Sequence, residues 1–331
     1  MRKLGFVLGK FMPPHKGHEY LCEFARNFCD ELTIAVCSMP DEPIPGKLRY
    51  EWMKKLFPTC NVFWTDEVLP QEPRGGDDAE FWRIWADVIR QAMQASGDPD
   101  WQMPDYIFAS EPYGLKLAES VGAKFIPCDL GRHAVPTSGT DCRNFPNTNW
   151  KFLPDIVKPY FQKRVVMFGP ESTGKSTLAA RLADYYGTLV VPEYGRTWTE
   201  FFGPEVTSDD LQNIVSGHLA SRKALAKNAG RVLIEDTDPV MTAVWGDMLL
   251  GHHDPVLDQF NDYPDLYLLC DIDIPWVDDG TRYFPDKADR ERFFQLCKKT
   301  LEDRGLPYVI CAGGKDNRLS RAVKAIDRLI E

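Results

Sequence analysis

The chain has 331 residues, 44% of them apolar and 27% charged, with a formal net charge of −10 at pH 7. That length suits two domains better than one core, and that balance suits a folded chain and excludes a disordered one. Acidic residues outnumber basic ones in both halves, so neither half offers the positive field that nucleic acid requires, and no run of about 18 apolar residues is present to span a bilayer. Leu4–Gly9 reads as a buried strand, then a turn and a helix from about residue 17. Glu31–Cys37 is a second strand, 47–57 a helix, 61–64 a third strand, and 71–78 a polar loop. A helix over 79–95 follows, then strands at Tyr106–Ala109 and Lys124–Pro127 flanking a helix at 114–121.

The Asn-, Pro- and Thr-rich stretch 143–150 breaks this alternation, and two further prolines follow it, which sets a boundary at 158–162. Residues 1–159 and 160–331 are therefore expected to be separate domains. A new strand starts at 163, and later strands fall at 231–235, 266–271 and Tyr308–Cys311. Long helices fall at 208–229 and 290–303. Strands alternating with helices predict an α/β protein with a parallel sheet in each half, covered on both faces. The nine cysteines form no CxxC pair, and several sit in apolar runs, as expected of reduced thiols packed as small hydrophobes in a cytoplasmic protein.

Each half opens on a phosphate-binding turn, and the two turns differ. The second is Gly169-Pro170-Glu171-Ser172-Thr173-Gly174-Lys175-Ser176, a GxxxxGK[ST] match between a strand and a helix. Glycines there let backbone N–H groups face phosphate, Lys175 can reach the β and γ phosphates, and Ser176 can ligate Mg²⁺. Gly169, Ser172, Thr173, Gly174 and Thr177 complete the candidate ATP-binding set. Asp236 and Asp238 end an apolar strand, where an acid can hold Mg²⁺ or meet a substrate hydroxyl. Asp238, before Pro239, fits a helix cap equally well. Glu193, in Glu193-Tyr194-Gly195-Arg196, follows a short strand at the sheet edge where open α/β sheets bind substrates. Asp278-Asp279-Gly280-Thr281-Arg282, with Lys287 and Arg290 beyond, reads either as a mobile lid delivering arginines or as a solvated charged loop.

The first turn runs from Gly9 through Phe11 and two prolines to His15-Lys16-Gly17-His18. Two histidines three apart at a helix N-terminus share one face beside the positive end of the dipole. Such a pair can hold a triphosphate and stabilise charge on its α-phosphate and on departing pyrophosphate. Late in the domain, Thr137-Ser138-Gly139-Thr140-Asp141-Cys142-Arg143 offers Ser138 at a helix start and Arg143 beyond it as a phosphate ligand. Lys47 and Arg49 are further cationic candidates. On the 79–95 helix, Phe81, Trp85, Val88, Ile89 and Ala92 form the core stripe. Trp82 is partly off it, and either stacks on a cationic ring or packs.

Taken together, these segments resemble the NadR-type bifunctional enzymes, nicotinamide mononucleotide adenylyltransferases fused to ribosylnicotinamide kinases. The resemblance runs through GKFMPPHKGHEYL, the Trp82/Trp85 pair, FASEPYG, TSGTDCR, VKPYF, GPESTGKSTL, EYGR, EDTD and PWVDDGTR. It implies an HxGH nucleotidylyltransferase domain of Rossmann-like fold followed by a P-loop kinase domain. It implies ATP as co-substrate, Mg²⁺, and the ligands nicotinamide mononucleotide, nicotinamide riboside and NAD. His15, His18 and Arg143 would hold ATP in the first domain, with Trp82 and Trp85 near nicotinamide. In the second, Lys175 and Ser176 would hold ATP and Mg²⁺, Glu193 and Asp236 would lie near the riboside hydroxyl with either as base, and Arg282 would meet the phosphates. The chain begins on its first strand, so no repressor module is expected. Pro192 stands where relatives often carry an aromatic residue before EYGR, which leaves open a kinase half of altered or lost activity. Coupled sulfate activation and a non-catalytic NAD or ATP sensor are the rival readings. Both a monomer and a homo-oligomer remain open.

Overall fold

The computed structural model describes residues 2–73, 78–278, 280 and 282–331. It divides into two compact units, Met1–Val157 and Lys158–Glu331.

In the first unit, apolar Leu4–Gly9 forms β1. The chain continues as α1 (Lys16–Phe28), β2 (Glu31–Cys37), α2 (Gly46–Leu56), β3 (Asn61–Thr65), α3 (Ala79–Gln94), β4 (Tyr106–Ala109), α4 (Tyr113–Val121), β5 (Lys124–Pro127) and α5 (Gly139–Asn144). All five strands are parallel in the order β3-β2-β1-β4-β5. Alternation along β1 explains the two-sided core. Phe6 packs with Phe81, Trp85, Ile89 and Leu117 of α3 and α4, while Val7 packs with Leu21, Ala25 and Met53 of α1 and α2. After β3 the chain returns to the other side of β1. That reversal opens a crevice beyond the C-terminal ends of β1 and β4.

The second unit comprises α6 (Lys158–Phe161), β6 (Lys163–Phe168), α7 (Lys175–Tyr186), β7 (Val190–Val191), α8 (Tyr194–Phe202), α9 (Ser208–Ala226), β8 (Val232–Glu235), α10 (Pro239–Leu250), β9 (Leu266–Cys270), α11 (Lys287–Asp303), β10 (Tyr308–Cys311) and α12 (Lys315–Ile330). Its sheet is also fully parallel, in the order β10-β9-β6-β8-β7. Val165 and Met167 face α7 and α12, and Val166 and Phe168 face α10 and α11. A capping box joins Thr207 to Asp210 at the start of α9, satisfying two backbone donors there.

Seven of the nine cysteines are buried, and Cys29 and Cys60 are half-buried. Among the described residues no helix is long and apolar enough to cross a membrane. Residues 74–77 of the predicted polar loop lie outside the described residues.

Candidate active sites

At the sheet reversal of the first unit lies a cavity of about 730 Å³, lined by Gly9, Phe11, His15, His18, Trp82, Trp85, Ser138 and Arg143 among others. His15 is the N-cap of α1, and its Nδ1 accepts the Gly17 N–H at 3.1 Å. That bond leaves Nε2 as the protonated nitrogen of a neutral ring. Burial, with Arg132 adding repulsion, pushes the His15 pKa down to about 4. His18 is also held well below the ordinary histidine range by desolvation, then by His15 and Arg132. The two imidazoles stack at 3.8 Å, a distance that two neutral rings tolerate and two cations would not.

The turn is braced from three directions. Phe11 adopts a positive φ of 47° and is buried, its ring packed edge-to-face with His18 at a centroid distance of 4.9 Å. Arg143 donates to the Met12 carbonyl at 2.7 Å, which joins α5 to the first turn. Gly139 permits this, because a Cβ there would sit 3.1 Å from the Met12 oxygen. Ser138 caps α5, accepting from the Asp141 N–H at 3.0 Å. Arg49 is fully buried, donating to the Lys10 carbonyl at 2.8 Å and to Glu42 at 2.6 Å.

Two cationic candidates are therefore corrected. Arg49 holds the turn from behind. Lys47 is exposed on the first turn of α2 and does not line the cavity. The lining cations absent from the sequence reading are Lys10 and Arg132, paired with Glu42 at 2.9 Å and Glu111 at 3.2 Å. Arg132 falls in an irregular stretch whose shape depends on Asp129 accepting the His133 and Ala134 N–H groups, which no spacing rule reveals. The Trp85 indole donates to the Pro70 carbonyl at 3.2 Å and belongs largely to the core. Trp82 is half-buried on the cavity wall, and its buried indole nitrogen has no hydrogen-bond partner among the described residues.

In the second unit a cavity of about 550 Å³ is lined by Ser172, Thr173, Gly174, Lys175, Ser176, Thr177, Glu193, Asp236, Arg282 and, among others, Trp245 and Tyr283. The loop between β6 and α7 turns on Gly169, at φ 124°, where a Cβ would lie 2.8 Å from the Cys270 carbonyl. Gly169 does not line the cavity; it lets the loop leave the sheet. Lys175 is buried and folds back onto the Gly169 and Pro170 carbonyls at 2.9 and 2.7 Å. The neighbouring Ser176 hydroxyl favours the Asp236 anion. The Asp236 pKa is pushed up to about 6, by burial first and by the neighbouring Glu193 second. Its Oδ1 is buried without a hydrogen-bond partner. Glu193, the N-cap of α8, lies 3.7 Å from the Arg196 guanidinium.

Asp238 is not a cavity residue. It caps α10 through the Met241 N–H at 2.8 Å and accepts the Tyr267 hydroxyl at 2.6 Å. Lys287 opens α11, exposed and 3.6 Å from Glu291 on its own helix. Arg290 is buried and donates to the Ile274 carbonyl at 3.1 Å, also away from the cavity lining. Arg282 does reach the cavity, its guanidinium 2.6 Å from Ser172 Oγ. Asp279 and Thr281 of the same segment lie outside the described residues. Trp245 and Tyr283, ring centroids 5.9 Å apart, supply the aromatic wall that Pro192 does not. Trp245 was hidden in an almost wholly apolar helix, α10, where sequence alone does not tell core from cavity.

Residues 164–318 match the AAA domain family. Over 355 residues the chain is 29% identical to the trifunctional NAD biosynthesis/regulator protein NadR of Escherichia coli (strain K12), an alignment covering 99% of this chain and 84% of that protein. The same protein of Salmonella typhimurium is 28% identical over 354 residues, with the same coverage. A NadR crystal structure in complex with NAD and AMP-PNP superposes with a TM-score of 0.78 at 21% identity, covering 99% of this chain and 96% of that one. A NadR complex with NR gives the same values. The structural likeness speaks to the fold, two α/β units in one chain.

Proposed function

We propose that this NadR-like chain is an enzyme of NAD biosynthesis, in which the first unit joins nicotinamide mononucleotide to the AMP moiety of ATP and the second phosphorylates nicotinamide riboside with ATP. One observation carries the reading: a single chain holds two substrate-sized cavities at sheet C-terminal edges, each with its own phosphate-binding set. The homology to NadR along nearly the whole chain supports the choice of substrates.

In the first unit the substrate phosphate is itself the nucleophile. One of its oxygens bonds to the α-phosphorus of ATP as the bond to pyrophosphate breaks, so the protein must position and neutralise rather than abstract a proton. His15 presents a neutral Nε2–H donor, and an arriving polyphosphate would favour protonation of either ring. Arg143, fixed through Met12, and Arg132 supply positive charge to the same cavity. The unpaired Trp82 indole and its face are suited to nicotinamide.

In the second unit a neutral ribose hydroxyl attacks the γ-phosphorus, ADP leaves, and a carboxylate must take the proton. Lys175 would exchange its two loop carbonyls for phosphate oxygens. The hydroxyl of Ser176, the unpaired Asp236 Oδ1 and substrate phosphates form an oxygen-only donor set, which fits Mg²⁺. Bound there, the ion would neutralise phosphate charge. Glu193 is then the carboxylate left to accept the hydroxyl proton, and Trp245 and Tyr283 offer ring faces to the pyridine. The setting we infer is the cytoplasm, with small molecules rather than nucleic acid as partners.

The test is purified protein given ATP, Mg²⁺ and either substrate. Nicotinamide mononucleotide should yield NAD and pyrophosphate, and the riboside should yield the mononucleotide and ADP. His18→Ala should abolish only the first reaction and Lys175→Ala only the second. Wild-type turnover in both variants would end the proposal.

A further inference from the structure

In the phosphate loop of the second unit, the middle residues need supply only backbone N–H groups, yet one of them is a glutamate. A carboxylate beside a polyanion's cradle is unfavourable unless it is held by donors of its own. Glu171 is held in this way. Only 7% exposed, it accepts the Tyr283 N–H at 3.0 Å, the Phe284 N–H at 2.7 Å and the Trp276 indole N–H at 3.4 Å. The next residue continues the attachment. Ser172 Oγ accepts from the Val277 N–H at 2.9 Å and from the Arg282 guanidinium at 2.6 Å. Two adjacent loop residues thus hold a segment more than a hundred positions away, and that segment delivers Arg282 and Tyr283 to the cavity.

We propose that Glu171 is a positioning residue of the second site: its carboxylate fixes the segment bearing Trp276, Arg282, Tyr283 and Phe284 to the phosphate loop, and so sets where Arg282 meets phosphate and where Tyr283 meets the acceptor. The loop that grips the nucleotide is thereby the loop that places the acceptor wall. This inference rests on the kinase reading above. A carboxylate does this where an amide cannot do so fully, since both its oxygens accept and the charge strengthens each bond.

The test uses the full chain and two independent readouts. Amide hydrogen exchange follows the peptide containing Tyr283 and Phe284. Glu171→Ala should speed exchange there on the order of tenfold or more, as expected for losing hydrogen bonds to a charged acceptor. Glu171→Gln, which keeps one acceptor oxygen, should fall between. Unchanged exchange in Glu171→Ala overturns the proposal, whatever the activity.

Riboside phosphorylation gives the second readout. Glu171→Ala should lower kcat on the order of 100-fold, the scale of misplacing a catalytic group by about an ångström, and raise KM for the riboside. Because Glu171 acts on kcat through Arg282 and on KM through Tyr283, the Glu171→Ala/Arg282→Ala double variant should have a kcat within about twofold of Arg282→Ala alone while keeping the raised KM of Glu171→Ala. Penalties that multiply also overturn the proposal. If wild-type protein phosphorylates no riboside, the kinase reading has failed, and the exchange measurement alone decides the role of Glu171.

Discussion

Removing the carboxylate of Glu193 should make its neighbour Asp236 more acidic. Asp236 titrates at about 6 rather than at the ordinary 3.8, because burial and then Glu193 disfavour its anion. That displacement is about 2 units, worth about 3 kcal/mol between the two protonation states. The sign follows directly. On the proposed reading Mg²⁺ and nucleotide bind the ionised carboxylate, so affinity is full above the Asp236 pKa and falls as pH drops through it. In the free wild-type protein, the dissociation constant of a magnesium-bound, non-hydrolysable ATP analogue should weaken below pH ~6, approaching tenfold per unit. In Glu193→Gln the largest cause, burial, remains, and the second is gone. The inflection should therefore move to lower pH by a measurable fraction of the ~2-unit shift. Calorimetric titration between pH 5 and 8 reads this without turnover, so any loss of base catalysis in the variant does not enter. An inflection that stays in place or moves upward would refute the assigned pairing of the two acids.

Two further variants probe buried polar contacts. Arg49→Met leaves Glu42 to Lys10 and the Met39 N–H but frees the Lys10 carbonyl, so it should destabilise the first unit on the order of 1–3 kcal/mol, seen as a lower thermal midpoint, with adenylyl transfer reduced and the second reaction spared. Tyr267→Phe removes one of the two donors to buried Asp238 and should cost about 1–3 kcal/mol in denaturant unfolding of the second unit, with the riboside KM unchanged because neither group lines the cavity.

Much of this was legible in the residues, for identifiable reasons. Parallel strands buried on both faces write themselves as continuous apolar runs, so β1, β2, β6 and β9 were visible. The two phosphate turns were visible because backbone access to an anion demands glycine at fixed offsets. What was not legible depended on tertiary approach. Lys47 and Arg49 stand two apart on one helix, yet only the structure separates an exposed cation from a buried brace. Asp236 and Asp238 look alike in the sequence. Their difference lies in Tyr267, 29 positions on, which occupies one of them. Lys287 was placed ahead of the helix expected at 290–303 because that helix starts at Lys287, earlier than its apolar spacing suggested. Arg132 and Trp245 carried no motif at all.

The bond from Arg143 to Met12 ties positions 131 residues apart. During synthesis, the histidine turn leaves the ribosome well before its brace, which emerges only when the rest of that unit has been made. Bracing of that turn thus awaits the last helix of the first unit. A nascent chain halted just short of α5 would own both histidines and still lack this brace.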